Sequence, residues 1–211
     1  MKRGLLLFAI LLSLSTGGAH AGSQATMSRL KAFVAEGDYF KAYVTAVALP
    51  ASDDRAYIEW AGYHAADLPS VMIYVMGQRL FKISRYDGLR WVTLGRLRLW
   101  QDLDICDIKE GQRNTGAMLL DMSVKEVIDY RLNYQKAALD ATRWAVEWDE
   151  DHNHTANPGW SCLAAKNLAF ITLKKKIQLT PSPVKEKGLW SDIRKASNKT
   201  FLDRQIKLSG G

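Results

Sequence analysis

Asp151-His152-Asn153-His154 is the stretch whose residue types come nearest to chemistry. Two imidazoles two positions apart share a face when the backbone is extended, and neutral imidazole is a good ligand for zinc or copper. A site built on His152 and His154 would suit a metal-dependent hydrolase. No third ligand is evident, and the spacing is not HExxH or another metal signature; the commoner role of such a run is a solvated acidic turn. Ser161-Cys162 follows closely and would offer those histidines a nucleophile, but neither a nucleophile elbow nor a cysteine-protease signature surrounds it. His64 falls on an apolar helical stripe, where a packed histidine is commoner than a catalytic base.

Cys106 and Cys162 are the two cysteines of the chain. In an exported protein an even pair reads as one disulfide, and a bridged Cys162 has no thiol left to act as a nucleophile. Trp60, Trp91 and Trp100 read as core residues. Trp144, Trp148 and Trp160 stand among acidic and turn residues and can line an aromatic, partner-binding surface, although packing is the commoner fate of tryptophan. No cofactor is expected. The final Leu208-Ser209-Gly210-Gly211 looks like a fragment of a nucleotide-transporter signature, but no P-loop accompanies it.

Lys2 and Arg3, the apolar run Leu5–Leu14 and Ala19-His20-Ala21 have the three-part layout of a secretory signal peptide cleaved after Ala21. The apolar run is well short of the roughly 20 residues of a spanning helix, and no later stretch is long and apolar enough. An exported, periplasmic or secreted protein is therefore expected, not transmembrane once processed. The net charge of +7 is uneven: residues 173–211 hold ten Lys/Arg against three Asp/Glu, whereas residues 22–172 hold 17 against 19. A basic tail on a near-neutral body can dock on anionic lipid or glycan; outside the cytoplasm nucleic acid is not an expected partner.

The elements that would position these residues read as helices. Met27, Leu30, Phe33 and Val34 recur at helical spacing up to Gly37, a natural stop. Asp38 can cap a second helix whose Phe40, Tyr43, Val44 and Val47 form an apolar stripe, and Pro50 ends it. Tyr57, Trp60, Ala61 and His64 repeat the stripe before Asp67-Leu68-Pro69 punctuates the chain. Val71–Met76 fits either an apolar helix or a strand. Trp91, Leu94, Leu97 and Trp100 suit a helix, while Leu97, Leu99, Leu103 and Ile105 suit a strand. Ser123-Val124-Lys125-Glu126 is a capping box that opens a helix through Val127, Ile128, Leu132 and Ala138. Asn157-Pro158-Gly159 is a turn. Ala169–Leu179 fits a strand, and residues 184–211 hold at most one short helix near Leu189–Ala196.

Gly37-Asp38-Tyr39, Ala42, Ala46 and Leu49, followed by Asp54-Arg55-Ala56 and an aromatic-rich helix, resemble a Sel1-like or tetratricopeptide repeat over residues 29–66. Ala42 and Ala46 match the small packing positions of that family, and Tyr39 the aromatic after the turn. Gly62 stands about one residue late for the usual Leu-Gly pair, and the linker before Ala56 is about one residue short. The resemblance implies a helical hairpin that must stack on others to bury its apolar face, leaving a concave binding surface.

The expected fold is mainly α, a short irregular array of helical pairs over residues 22–140, with α+β as the alternative. A disulfide-tied extension over 141–180 and a basic, flexible tail over 181–211 complete the chain after the 1–21 signal segment. The expected function is an exported, non-enzymatic module that binds or scaffolds a protein or peptide. The metal-dependent hydrolase and the lipid- or glycan-docking protein stand as alternatives.

Overall fold

The computed structural model describes residues 24–111, 113–114, 125–172 and 184–210. The chain divides between Tyr57 and Ile58 into two compact units.

In the first unit, helix α1 covers residues 24–35. Gly37 follows at φ 73°, a left-handed backbone open to glycine without steric cost. Asp38 caps α2 (Tyr39–Ala48), its carboxylate accepting from the Lys41 amide. The apolar stripe of α2 is not the buried one. Ala42 and Ala46 are fully buried and Leu49 nearly so, while Phe40, Val44 and Val47 are 44–53% exposed. Both sets have helical spacing, and bulk alone points to the wrong one: the small residues take the crowded side. A single 3-10 turn, Ala51–Asp53, leads into α3 (Asp54–Tyr63), which runs across the division between the units.

The second unit is built on a helical hairpin. α4 (Ser70–Phe81) starts after Pro69, whose fixed φ suits a helix entry. α5 (Arg85–Ile105) is capped by Ser84, whose hydroxyl accepts from the Asp87 amide and donates to the Asp87 carboxylate at 2.7 Å. Between them the helices touch backbone to backbone. A Cβ on Gly77 would lie 2.3 Å from the Val92 nitrogen, one on Gly88 2.2 Å from the Phe81 Cα, and one on Gly95 2.7 Å from the Tyr74 nitrogen. Three glycines therefore set the spacing of the pair.

Further helices clad this hairpin. α6 (Lys125–Asn133) and α7 (Gln135–Asp151) are separated at Tyr134, whose backbone is non-helical at φ −124° and ψ 66°. The single helix expected from residue 123 onward is thus two, parted at Tyr134. The capping Ser123 lies outside the described residues. Val127 and Ala138 are buried as expected, but Ile128 and Leu132 are exposed. Val127 and Ala141 pack with Tyr74, Phe81, Leu89 and Val92 in one core cluster. α8 (Gly159–Thr172) begins where Asn157 accepts from the Gly159 amide at 2.8 Å. A 3-10 turn at Lys187–Leu189 precedes α9 (Trp190–Leu208), which packs on α5 and α7.

The described residues are mainly α-helical, and the α+β alternative is overturned. Val71–Met76 and Leu97–Ile105 lie in α4 and α5. Residues 70–77 are buried all round, and a helix apolar on every side loses the period that separates it from a buried strand. Residues 169–172 are helical, and the remainder of the third expected strand lies outside the described residues. In place of one short helix near Leu189–Ala196 the chain has 19 residues of α9. The only β pairing among the described residues is an isolated bridge between Cys106 and Val184. No helix among them is long and apolar enough to cross a membrane. Cys106 and Cys162 are bonded, with an S–S distance of 2.02 Å, and join the end of α5 to the start of α8.

Candidate functional site

The helices of the second unit meet around a fully buried arginine. Arg98, on α5, donates from Nε to Asp149 Oδ1 at 2.8 Å, from Nη1 to the Ala65 carbonyl at 2.6 Å and from Nη2 to the His152 carbonyl at 3.4 Å. Its guanidinium also lies 4.9 Å from the Trp148 ring centre. The other Asp149 oxygen accepts from Gln101 at 2.6 Å and from Asn198 at 3.4 Å, and Gln101 donates to Asn198 Oδ1 at 2.6 Å. Arg98 thereby ties α5 to α7 and to the turn after α3, and Asn198 brings in α9 through Asp149 and Gln101. Burial pulls its pKa down, and the Asp149 carboxylate opposes that pull.

One turn along α5, Asp102 is buried beside this network. Its Oδ2 accepts from Ser70 at 3.1 Å and from Ser161 at 2.9 Å, and its Oδ1 has no partner. Removal from water raises the pKa to about 6, against the pull of the Ser161 hydroxyl, Arg194, Ser70 and Arg98. The Ser161 hydroxyl is thus spent on a buried carboxylate.

Residues 152–155 form the segment that closes over the network. The Thr155 amide donates to the Ala66 carbonyl at 3.1 Å, the Thr155 hydroxyl bonds the Asp67 carboxylate, and Arg194 Nη1 donates to the His154 carbonyl at 2.6 Å. His154 is 4% exposed. Its ring nitrogens have no hydrogen-bond partner; the Leu68 carbonyl is near but outside hydrogen-bonding geometry. Burial first, then the cations Arg98 and Arg194, hold its pKa well below the usual histidine value, so the ring is neutral.

Outside this segment a half-open cleft of about 840 Å³ separates the C-terminal end of α7 from the N-terminal half of α9. Glu150 and Asp151 stand on one wall, and Lys187, Trp190, Arg194 and Lys195 on the other; Asn153 and His154 lie between. Burial lowers the Arg194 pKa, and Asp102 and Asp149 oppose the shift.

No protein-family model, curated protein or solved structure matches the chain.

The residues singled out in the sequence are put to separate uses. His152 is exposed, its ring stacked on Trp148 with centres 4.0 Å apart, and its Nδ1 lies 2.8 Å from the Trp148 carbonyl. His154 is buried in the network. Among the described residues no group of three or more His, Cys, Asp or Glu is placed to hold a metal ion. His64 packs against the rings of Trp60 and Tyr63 at 5.6 and 5.1 Å. Trp144 and Trp148 meet Trp91 edge to face at 5.3 and 5.5 Å, half-buried between α5 and α7. Trp160 is half-buried at the start of α8. Reading by motif passed over Arg98, Gln101, Asp102, Arg194 and Asn198. The available signal was Arg98 and Asp102 at i, i+4 in a helix otherwise crowded with leucine: charges on such a face need internal partners.

Proposed function

We propose that the protein is an exported, non-enzymatic module that binds a protein or peptide segment. The observation that carries this reading is the cleft between α7 and α9, whose two walls bear opposite charges that do not pair with each other among the described residues. Pockets of roughly 300–1,000 Å³ bury most of a small ligand, and a half-open one suits a segment that enters and leaves. Supporting it, the α4–α5 hairpin packs through small residues, as the hairpins of helical-repeat binding proteins do. Export is supported by the signal-like first residues and by the Cys106–Cys162 bond.

Site-specific photo-crosslinking in the native cell tests the reading. Photoreactive residues at exposed positions around the molecule, Asn153 at the cleft and Ile83, Leu132 and Leu208 elsewhere, should trap a discrete protein from one face. Absence of any crosslinked protein from every position would sink it, and turnover of a substrate by the purified chain would remove the non-enzymatic part.

A further inference from the structure

The cleft has a polarity that goes further than the presence of a binding site. Glu150 and Asp151, at the end of α7, and Lys187 and Lys195, in and beside the start of α9, are exposed, and none makes an ion pair or hydrogen bond among the described residues. Charges close enough to meet do so at several places elsewhere: Lys41 with Asp38 at 2.6 Å, Lys136 with Asp140 at 2.8 Å and Arg113 with Asp104 at 2.8 Å. In the cleft the two signs are instead held apart by rigid helices. α9 is fixed by Asn198 on Gln101, by Ser197 on Asp104 at 2.5 Å and by Arg194 on the His154 carbonyl. The α7 end is fixed by Asp149 on Arg98.

Beneath these charges lie unused polar groups. Arg194 commits Nη1 to the His154 carbonyl, while Nε and Nη2 have no partner. Both atoms are buried and the guanidinium feels the Asp102 and Asp149 carboxylates, so Arg194 lends the cleft positive charge rather than an open edge. His154, 4% exposed and lining the same cleft, has no ring-nitrogen hydrogen bond of good geometry, the Leu68 backbone being its nearest polar neighbour. An unsatisfied buried donor costs on the order of 1–3 kcal/mol, and these stand at the lining of the cleft. The Trp190 ring on the basic wall, its Nε1 donating to the Lys185 carbonyl at 2.9 Å, adds an apolar face.

We propose that the cleft holds an extended peptide segment carrying both a basic and an acidic side chain, the basic one against Glu150 and Asp151 and the acidic one against Lys187 and Lys195 with Arg194 behind them. Resting on the binding reading above, this assigns that reading a place and a ligand chemistry. Opposite walls fix the direction of the segment, because reversing it sets like charges against each other. A ligand of single sign gains one wall and is repelled by the other.

Fluorescence anisotropy with the intact chain tests this. Three blocked peptides of equal length are labelled: one with a lysine pair and a glutamate pair set apart by neutral residues, one with the lysines alone and one with the glutamates alone. The mixed peptide should bind about tenfold or more tighter than either other, a factor within the reach of rim charges, and high salt should erase the difference. Glu150→Lys and Lys195→Glu should each weaken the mixed peptide, and the two together should weaken it further, because Asp151 and Lys187 keep either wall from reversing its sign. Both positions are exposed, and unchanged melting of each variant keeps the comparison clean. Equal binding of all three peptides, or binding indifferent to both reversals, overturns the proposal. If no peptide binds while a partner is still crosslinked from another face, the cleft assignment falls and the binding module stands; if neither is found, both fall.

Discussion

Arg98 Nε and Asp149 Oδ1 meet at 2.8 Å with both side chains withdrawn from solvent, 0% and 5% exposed. They are 51 residues apart in sequence and join α5 to α7. An ion pair so placed gains little over a well-packed apolar pair, because both charges lose their water; breaking it from one side strands the other charge. Arg98→Met should therefore cost about 3–5 kcal/mol in urea unfolding. Arg98→Met with Asp149→Leu should cost less than the sum of the single changes. Additive losses would show that the pair is not coupled and that the carbonyls of Ala65 and His152 are the real use of Arg98.

Asp102 sets a pH dependence whose sign is opposite to that of most salt-bridged carboxylates. Its folded pKa, about 6, lies above the 3.8 of an aspartate in water. The folded state therefore favours the protonated form. Its contribution to stability is fully present below about pH 4 and is lost as pH rises through about 6. Asp102→Asn, which still accepts from Ser70 and Ser161, should be more stable than the parent at neutral pH, by at most roughly 3 kcal/mol. The difference should shrink as the pH falls through 6. Thermal melts of the two chains across that range measure it, and parallel curves would show that Asp102 does not titrate there.

The α4–α5 hairpin depends on missing side chains. A Cβ on Gly77 meets the Val92 backbone at 2.3 Å, whereas one on Gly188 meets nothing within 4 Å. Because backbone cannot step aside as a flexible side chain can, Gly77→Ala or Gly95→Ala should force the helices apart and cost about 1–3 kcal/mol or more. Gly188→Ala should change stability by no more than about 0.5 kcal/mol. Chemical unfolding of the three variants tests this, and a neutral Gly77→Ala would mean that the helices are free to separate.

These relationships show why parts of the molecule were legible and others were not. Helix ends depend on local signals, so Gly37, Asp38, Pro50 and the Asn157-Pro158-Gly159 turn were readable from their neighbours. The inward face of α2 was not: Phe40, Val44 and Val47 have the same spacing as Ala42, Ala46 and Leu49, and only the surroundings decide which set goes in. Residues 70–77 of α4 are enclosed on all sides, which erases the helical period and leaves strand and helix equally good. Gly77, Gly88 and Gly95 acquire meaning only opposite Val92, Phe81 and Tyr74. The Arg98 network draws on positions as far apart as Ala65 and Asn198, so no motif window contains it. His152 and His154 were visible as a pair, yet a two-residue step took one ring onto Trp148 and the other into the network.

The Cys106–Cys162 bond closes a separation of 56 residues, and in the loop-entropy account a closure of that length stabilises the fold by about 4 kcal/mol. Its place adds a second effect. Cys162 directly follows Ser161, whose hydroxyl reaches Asp102, and Cys106 lies one turn beyond Asp102 with its sulfur 3.1 Å from the Asp102 carbonyl. The bond thus pins both sides of the buried carboxylate's surroundings. Cys106→Ser with Cys162→Ser should lower stability by about that amount. Ser161→Ala, costly in the bonded chain because it strips a partner from Asp102, should cost less once the bond is gone and α8 is free to shift. A thermodynamic cycle over these variants reads the coupling directly. Additivity would mean that the disulfide acts through chain entropy alone and leaves the Asp102 site untouched.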